Sequence, residues 1–485
     1  MRYYYINRKD IIARIACFLL SLLLLSCSGI LYAQEISPEE ALQWGIQHNY
    51  DLQNLRYSID DIKRNLEIID AGNAFQVDLD ITPIWSLGGK GDQNPIEMEK
   101  NRFAPETELS LSAKKQLAPD LSLTSKVTWQ SENIAQSFPE NITKEVKGNI
   151  RVDKKLYPAT WSEQEKQVYA LENSLEMKLA ELRWKEVEKQ IEFIQKYLAI
   201  VRLQKQLETQ AKRLGLAEED LARVRAQIEI GEGGYQREAE AAIALEEVKN
   251  KVLSATQELS QAEQQWFLQL GLPAGITVSF VQQDNFLKIL LEQMDDLPLS
   301  TQSHEKLIEQ ALQENYQIKN NLLEKEELLK ELQWTKDAGK PALNLSGGYS
   351  YPDDDWFIMF DFSVNLADGG VQRLKEQQKE DGIRRKEISM DYLKETLKLE
   401  AEQLLNQDYY NQLLLQTQQL ALAKELDKVT IIEQQYQKGA ISQTQRDNSL
   451  LALEEKELSV RQAQDQWLVD RLKLAHFIGY LPKGV

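Results

Sequence analysis

The chain is poor in the residues that most protein chemistry needs. Its 485 residues include two cysteines, Cys17 and Cys27, and three histidines, His48, His304 and His476. These lie far apart in sequence, which leaves a zinc cluster, a Cys–His nucleophile pair or an iron–sulfur centre without a ligand set. No Ser/His or paired-acid motif points to catalysis, so the expectation is no enzyme, no cofactor and no metal site. Glycine (22) and proline (12) are scarce, which excludes collagen-like and low-complexity disordered chains. Basic residues are in deficit, 57 against 76 acidic ones, for a formal net charge of −19. A nucleic-acid binder needs the reverse, a basic face that neutralises phosphates. Nowhere is there an uninterrupted run of the ~20 apolar residues that a membrane-spanning helix requires.

What is present begins with an export leader, residues 1–33. Arg2, Arg8, Lys9 and Arg14 precede the apolar run Ile15 to Leu25, and Leu31, Tyr32 and Ala33 offer a small-residue cleavage point before Gln34. A second processing reading stays open: Leu24-Leu25-Ser26-Cys27 has the form of a lipoprotein box, in which Cys27 would carry lipid. Cleavage after Ala33 removes four basic residues, one acidic residue and both cysteines, leaving a thiol-free chain of net charge −22. Its stability cannot then rest on disulfides.

The chain repeats itself. Ala41-Leu42-Gln43-Trp44-Gly45-Ile46-Gln47-His48-Asn49-Tyr50 matches Leu307-Ile308-Glu309-Gln310-Ala311-Leu312-Gln313-Glu314-Asn315-Tyr316, and Asp70-Ala71-Gly72 matches Asp337-Ala338-Gly339. Each copy has the same order: an opening helix (34–74 and 303–340), a segment of alternating polarity (75–158 and 341–367), and a long helical hairpin (159–270 and 368–485). Between the copies, 271–302 reads as a linker with a short strand from Ile276 to Val281 and a short helix.

Alternation with period two marks strands that have one apolar and one polar face. Phe75, Val77, Leu79 and Ile81 alternate with Gln76, Asp78, Asp80 and Thr82; Leu121, Leu123 and Val127 alternate with Ser122, Thr124 and Lys126. The same pattern runs through 108–113 and 146–153, giving four strands in the first copy, and through Leu343 to Tyr351 and Ile358 to Leu366, giving two in the second. Strands of ~9–11 residues with polar-in, apolar-out order suit an outer-membrane barrel. On that reading Asp78, Asp80, Lys126, Lys147, Arg151 and Asp361 line a lumen of mixed charge. Trp85, Trp129, Tyr157, Trp161, Tyr349, Tyr351 and Trp356, near strand ends, form interfacial girdles. A soluble β-sandwich also alternates, but strands in two separated groups that open into very long helices do not suit it.

Residues 159–230 and 370–438 contain no proline, and at 1.5 Å per residue each would extend for ~100 Å. Apolar residues recur at coiled-coil spacing in Leu171, Leu175, Leu179 and Leu182, in Ile191, Ile194, Leu198 and Val201, and in Leu413, Leu420, Leu426 and Val429. Each run meets glycine and returns. The first tip is Gly231, Glu232, Gly233, Gly234 and Tyr235; the second is Gly439, Ala440, Ile441 and Ser442.

In these features the chain resembles the TolC-type outer-membrane factors, the ducts of tripartite efflux pumps and type I secretion. The residues that carry the resemblance are Ser37-Pro38-Glu39-Glu40-Ala41-Leu42 with His48-Asn49-Tyr50, then Tyr436-Gln437-Lys438-Gly439, then Ala463-Gln464-Asp465-Gln466-Trp467 through Phe477-Ile478-Gly479-Tyr480-Leu481-Pro482. The duplicated order of elements adds to it. The resemblance implies a mixed fold, outer-membrane β-barrel strands plus a long α-helical coiled-coil barrel, internally duplicated and closed only as a homotrimer. It implies a passive channel in the cell outer membrane, surrounded by lipid, with its helical barrel in the periplasm. Its hairpin tips would dock a periplasmic adaptor (membrane fusion) protein, which connects to an inner-membrane pump of the RND or ABC type. The alternative is a periplasm-spanning structural coiled coil without conductance. Two departures stand out. Relatives place four strands per chain in a twelve-stranded barrel, whereas six here give eighteen or leave an accessory hairpin. Some relatives also ring the periplasmic entrance with carboxylates just beyond the second tip, where this chain has Gln445 and Asn448, with Asp447 one place off.

Overall fold

The computed structural model describes residues 34–85, 105–118, 120–131, 145–232, 234–273, 276–278 and 303–479. The leader with Cys27, Gly233, the loops at 86–104 and 132–144, most of the linker, and Tyr480, Leu481 and Pro482 fall outside the described residues.

Two asparagines break what periodicity alone reads as single opening helices. α1 (Pro38–His48) stops at Asn49 and α2 (Tyr50–Asn73) starts at once; in the second copy α5 (His304–Glu314) stops at Asn315 and α6 (Tyr316–Ala338) follows. The cause is local. Asn49 Oδ1 accepts from the N–H groups of Asp51 and Leu52 at 3.1 and 3.2 Å, capping the second helix, while its Nδ2 donates to the Gln269 carbonyl at 2.8 Å. An asparagine side chain thus replaces the backbone bonds that continuity would have supplied. Ser37 starts α1 with a reciprocal capping box to Glu40.

The described residues fall into two compact units. One comprises those up to Asn54 with Leu182–Asn315 and Thr396 onward; the other comprises Leu55–Glu181 and Tyr316–Glu395. The second unit holds an antiparallel six-stranded sheet of β2 (Gln76–Trp85), β3 (Pro105–Ala118), β4 (Leu121–Ser131), β5 (Glu145–Tyr157), β7 (Ala342–Tyr351) and β8 (Asp355–Ser363). The strands lie in that order, with β2 and β8 outermost. Four come from the first copy and two from the second, and β5 joins β7 across the duplication. Gly348 in β7 sits where a Cβ would meet the Ile150 carbonyl and the Phe357 ring, so the aromatic ring of the neighbouring strand covers the glycine.

α3 (Glu163–Glu229) returns as α4 (Tyr235–Leu270), and α7 (Val371–Gln437) returns as α8 (Gln443–Phe477); the first unit holds these hairpins from Leu182 and from Thr396 onward. Its core gathers Ala41 and Leu42 of α1, Phe193, Ile194, Tyr197 and Leu198 of α3, Trp266 and Leu270 of α4, and Leu468, Leu472 and Ala475 of α8. Trp266 is fully buried and donates to the Phe193 carbonyl at 3.1 Å, which answers its one polar atom. The short strand expected from Ile276 is β6 (Ile276–Val278), paired in parallel with β1 (Gln34–Ile36). The expected coiled-coil seam divides in two. Ile191, Ile194 and Leu198 are buried, but Leu413, Leu420 and Leu426 stand exposed in the single chain. Heptad spacing identifies an apolar stripe without saying whether its cover lies in the same chain.

Gly45 packs α1 against that core: a Cβ there would collide with Leu270 Cδ2 and lie 2.8 Å from Phe193 Cε2. Overpacking a dense core costs roughly 1–3 kcal/mol. Gly45→Val should therefore lower the thermal midpoint of the helical circular-dichroism signal by several degrees; an unchanged midpoint would show that this contact is slack.

Candidate functional site

The sheet register sorts the side chains onto two faces. One row across the sheet runs Leu79, Leu111, Val127, Gly148 and Tyr351; the next runs Val77, Ala113, Ser125, Ile150, Tyr349 and Trp356. The opposite face runs Asp78, Ser112, Lys126, Asn149, Ser350 and Asp355, then Asp80, Ser110, Thr128 and Lys147. Arg151 and Asp361 fall on this polar parity as well, so all six charged residues singled out in the sequence share one face. The apolar face is open: Leu79, Ile81, Phe360 and Phe362 are each about 60% exposed or slightly more. Its charged residues among those described are Lys115, near the turn from β3 to β4, and Lys154, near the end of β5 that precedes α3. A lysine at an apolar rim can keep its stem in lipid and its ammonium in water.

The polar face carries its own bonding. Arg151 Nε donates to Asp153 Oδ1 at 2.7 Å, and its Nη2 donates to Ser346 Oγ at 3.1 Å; Ser346 in turn donates to Asp153. Asn344 Nδ2 donates to Asp361 Oδ2 at 3.4 Å. These residues border a recess of about 350 Å³. Tyr349, Tyr351 and Trp356 cluster at the loop end of the sheet, with the Tyr349 and Trp356 rings 5.0 Å apart.

The two hairpin tips share one construction. At the first, Gly231 (φ 82°) donates to the Ile228 carbonyl and Glu232 to Gln227; at the second, Gly439 (φ 70°) donates to Tyr436 and Ala440 to Gln435. This is the glycine-terminated helix end in which a left-handed residue satisfies the last carbonyls. Below each tip an ion pair joins the two arms: Arg225–Glu238 at 2.8 Å and Glu433–Arg446 at 2.7 Å, thirteen residues apart in both cases, with the charges exchanged. Sequence reading missed these pairs because single charges on a long polar helix look like solvated surface. Tyr235, expected in the turn, is the first residue of α4 and is 82% exposed.

Of the residues expected at a gate, Gln445 is engaged in capping. Ser442 and Gln445 form a reciprocal capping box at the start of α8, and Ser442-x-x-Gln445 was a readable signal for it. Asp447 lies 3.7 Å from Arg446, whose guanidinium also stands over the Tyr436 ring; Asn448 is exposed. The arm of the first hairpin is tied to that of the second by Lys212–Glu454, Arg213–Glu455 and Arg223–Thr444. Among the described residues no helix is long and apolar enough to cross a membrane, and no group of three or more His, Cys, Asp or Glu could hold a metal ion.

Two buried titratable groups lie deep in the hairpin unit. Burial pushes the Asp465 carboxyl up to about 6, against the pull of Arg461 at 3.3 Å and Arg202 at 3.9 Å. His476, 8% exposed with its ring 4.0 Å from Trp184, is pulled down to about 4 by burial; Glu188 opposes this and Lys185 adds to it. Folding favours neutral His476, so its contribution is complete above the ordinary value of 6.5 and is lost as pH falls towards 4. Asp465 acts in the opposite sense: it withholds stability at neutral pH and returns it as pH falls through about 6. Between pH 7 and 5 the His476 term amounts to about 2 kcal/mol. In chemical unfolding the His476→Gln protein should lose less stability over that interval than the parent by about this amount; parallel pH profiles would contradict the assignment.

No protein-family model matches the chain, and no curated protein matches it in sequence. Solved structures do. CusC, studied for the conformational changes that accompany folding and transmembrane channel formation, superposes with a TM-score of 0.63 at 14% identity, over 92% of this chain and 93% of CusC. The outer membrane protein VceC of Vibrio cholerae gives 0.60 at 12% identity over 91% and 96%, and the MtrE outer membrane channel of Neisseria gonorrhoeae gives 0.60 at 9% over 93% and 93%. Nearly the whole length is matched in each. The chain has the TolC-like fold of the outer-membrane channels.

Proposed function

We propose that the protein is the outer-membrane duct of a tripartite efflux pump or type I secretion system, a passive channel rather than an enzyme. One observation carries this reading: a six-stranded sheet, apolar on one face and polar on the other, whose strands continue into long helical hairpins. Backbone groups at a sheet edge cannot stay unpaired in hydrocarbon, so membrane strands must close into a barrel. One copy has too few strands for an open channel, and the reading is therefore a homotrimer that surrounds a water-filled path. The likeness in fold to outer-membrane channels supports it.

The remaining assignments follow from this one. The apolar face meets lipid, and Asp78, Asp80, Lys126, Lys147, Arg151 and Asp361 face the lumen. The helical hairpins extend into the periplasm. The tips at Gly231 to Tyr235 and Gly439 to Ser442 receive a periplasmic adaptor, which links the duct to an inner-membrane pump. Gln445, Asp447 and Asn448 lie near the proposed constriction, and Gln445 also holds the α8 terminus.

Purified protein added to a planar bilayer should give discrete conductance steps; persistent silence would favour a structural coiled coil. Arginine at both tip glycines, Gly231→Arg with Gly439→Arg, should abolish export in cells while leaving oligomer and bilayer conductance intact. Unimpaired export would remove the tips from the docking role.

A further inference from the structure

The duct reading leaves the width of its membrane section open, and the strand register bears on it. We propose that the β3–β4 hairpin is part of the barrel wall, so that three copies close an eighteen-stranded barrel through β8 of one copy and β2 of the next. This rests on the trimeric duct reading.

Three observations carry it. First, β3 and β4 stand between β2 and β5 in unbroken register, from Gln76↔Lys114 to Trp85↔Pro105 on one side and from Leu121↔Lys154 to Gln130↔Glu145 on the other. An accessory hairpin would leave β2 beside β5. Second, the faces stay in phase through the hairpin: Leu109, Leu111, Leu123 and Val127 continue the apolar rows of β2 and β5, while Ser110, Ser112, Lys126 and Thr128 continue the polar ones. A one-residue slip would reverse that order. Third, the outer strands are compatible. β2 has 10 residues and β8 has 9, their exposed apolar sets Val77, Leu79, Ile81 and Ile358, Phe360, Phe362 lie on the same face, and an even strand number makes every seam between copies antiparallel.

The consequence is size. With strands about 4.8 Å apart and tilted ~40°, eighteen strands give a barrel radius of about 18 Å, against about 12 Å for twelve. Barrels of sixteen to eighteen strands hold an open aqueous channel. The membrane section would then not set the girth of the cargo, and its wall of hydroxyl, amide and mixed-charge side chains suits bulky hydrated polar solutes.

Electron cryo-microscopy of the intact particle in lipid nanodiscs tests this. Eighteen strands in the ring is the expected result. A twelve-stranded ring with β3–β4 outside the wall overturns the inference and leaves the duct reading standing; no ring at all overturns both. A second measurement needs no map. Single cysteines at 109, 110, 111, 112, 126, 127 and 128 in the Cys27→Ala protein, probed in nanodiscs with a membrane-impermeant maleimide, should label several-fold faster at 110, 112, 126 and 128 than at 109, 111 and 127. Equal labelling of both sets would place the hairpin in water and overturn the proposal.

Discussion

Everything in this structure answers to the unpaired edge of a β-sheet. A strand with free N–H and C=O groups is tolerable in water and costly in hydrocarbon, where each orphan group costs several kcal/mol. The sheet here has an apolar face suited to lipid and two outer strands, β2 and β8. Such a sheet is incomplete as one chain. On the proposed duct reading, copies supply the missing pairing, the polar face turns inward and water is enclosed. A passive conduit would then follow from hydrogen-bond satisfaction without any reactive group.

The helical hairpins state the same incompleteness in another form. Leu413, Leu420 and Leu426 are spaced as a coiled-coil seam yet exposed in the single chain, whereas Ile191, Ile194 and Leu198 are covered. A stripe that is apolar, regular and open suits a neighbouring copy. The tips need no such cover: each is closed by a left-handed glycine and an ion pair across its arms, a construction repeated in both copies.

Much of this was legible in the sequence because period-two alternation is a sharp signal. Asp78 and Asp80 alternate with Val77 and Leu79, and the strand register sets the two pairs on opposite faces of the sheet. Glycine at 231 and 439 marked the reversals for an equally definite reason. Other features were not legible. Asn49 and Asn315 break the opening helices, Asn49 through a side-chain cap that periodicity does not see. The three-residue strand β1 is too short to alternate, and its parallel pairing with β6, the short strand expected from Ile276, left no signal. The burial of His476 and Asp465 depends on helices distant in sequence. Gln445, read as a gate residue by position, also caps α8, a role legible from Ser442 three places before it.

The central claim is that one chain cannot complete the sheet that it begins. Native mass spectrometry of the protein extracted from outer membranes in mild detergent tests this most directly. The account predicts a particle of three chains that persists while the sheet stays folded. A folded, stable single chain with its strands intact in lipid would contradict it.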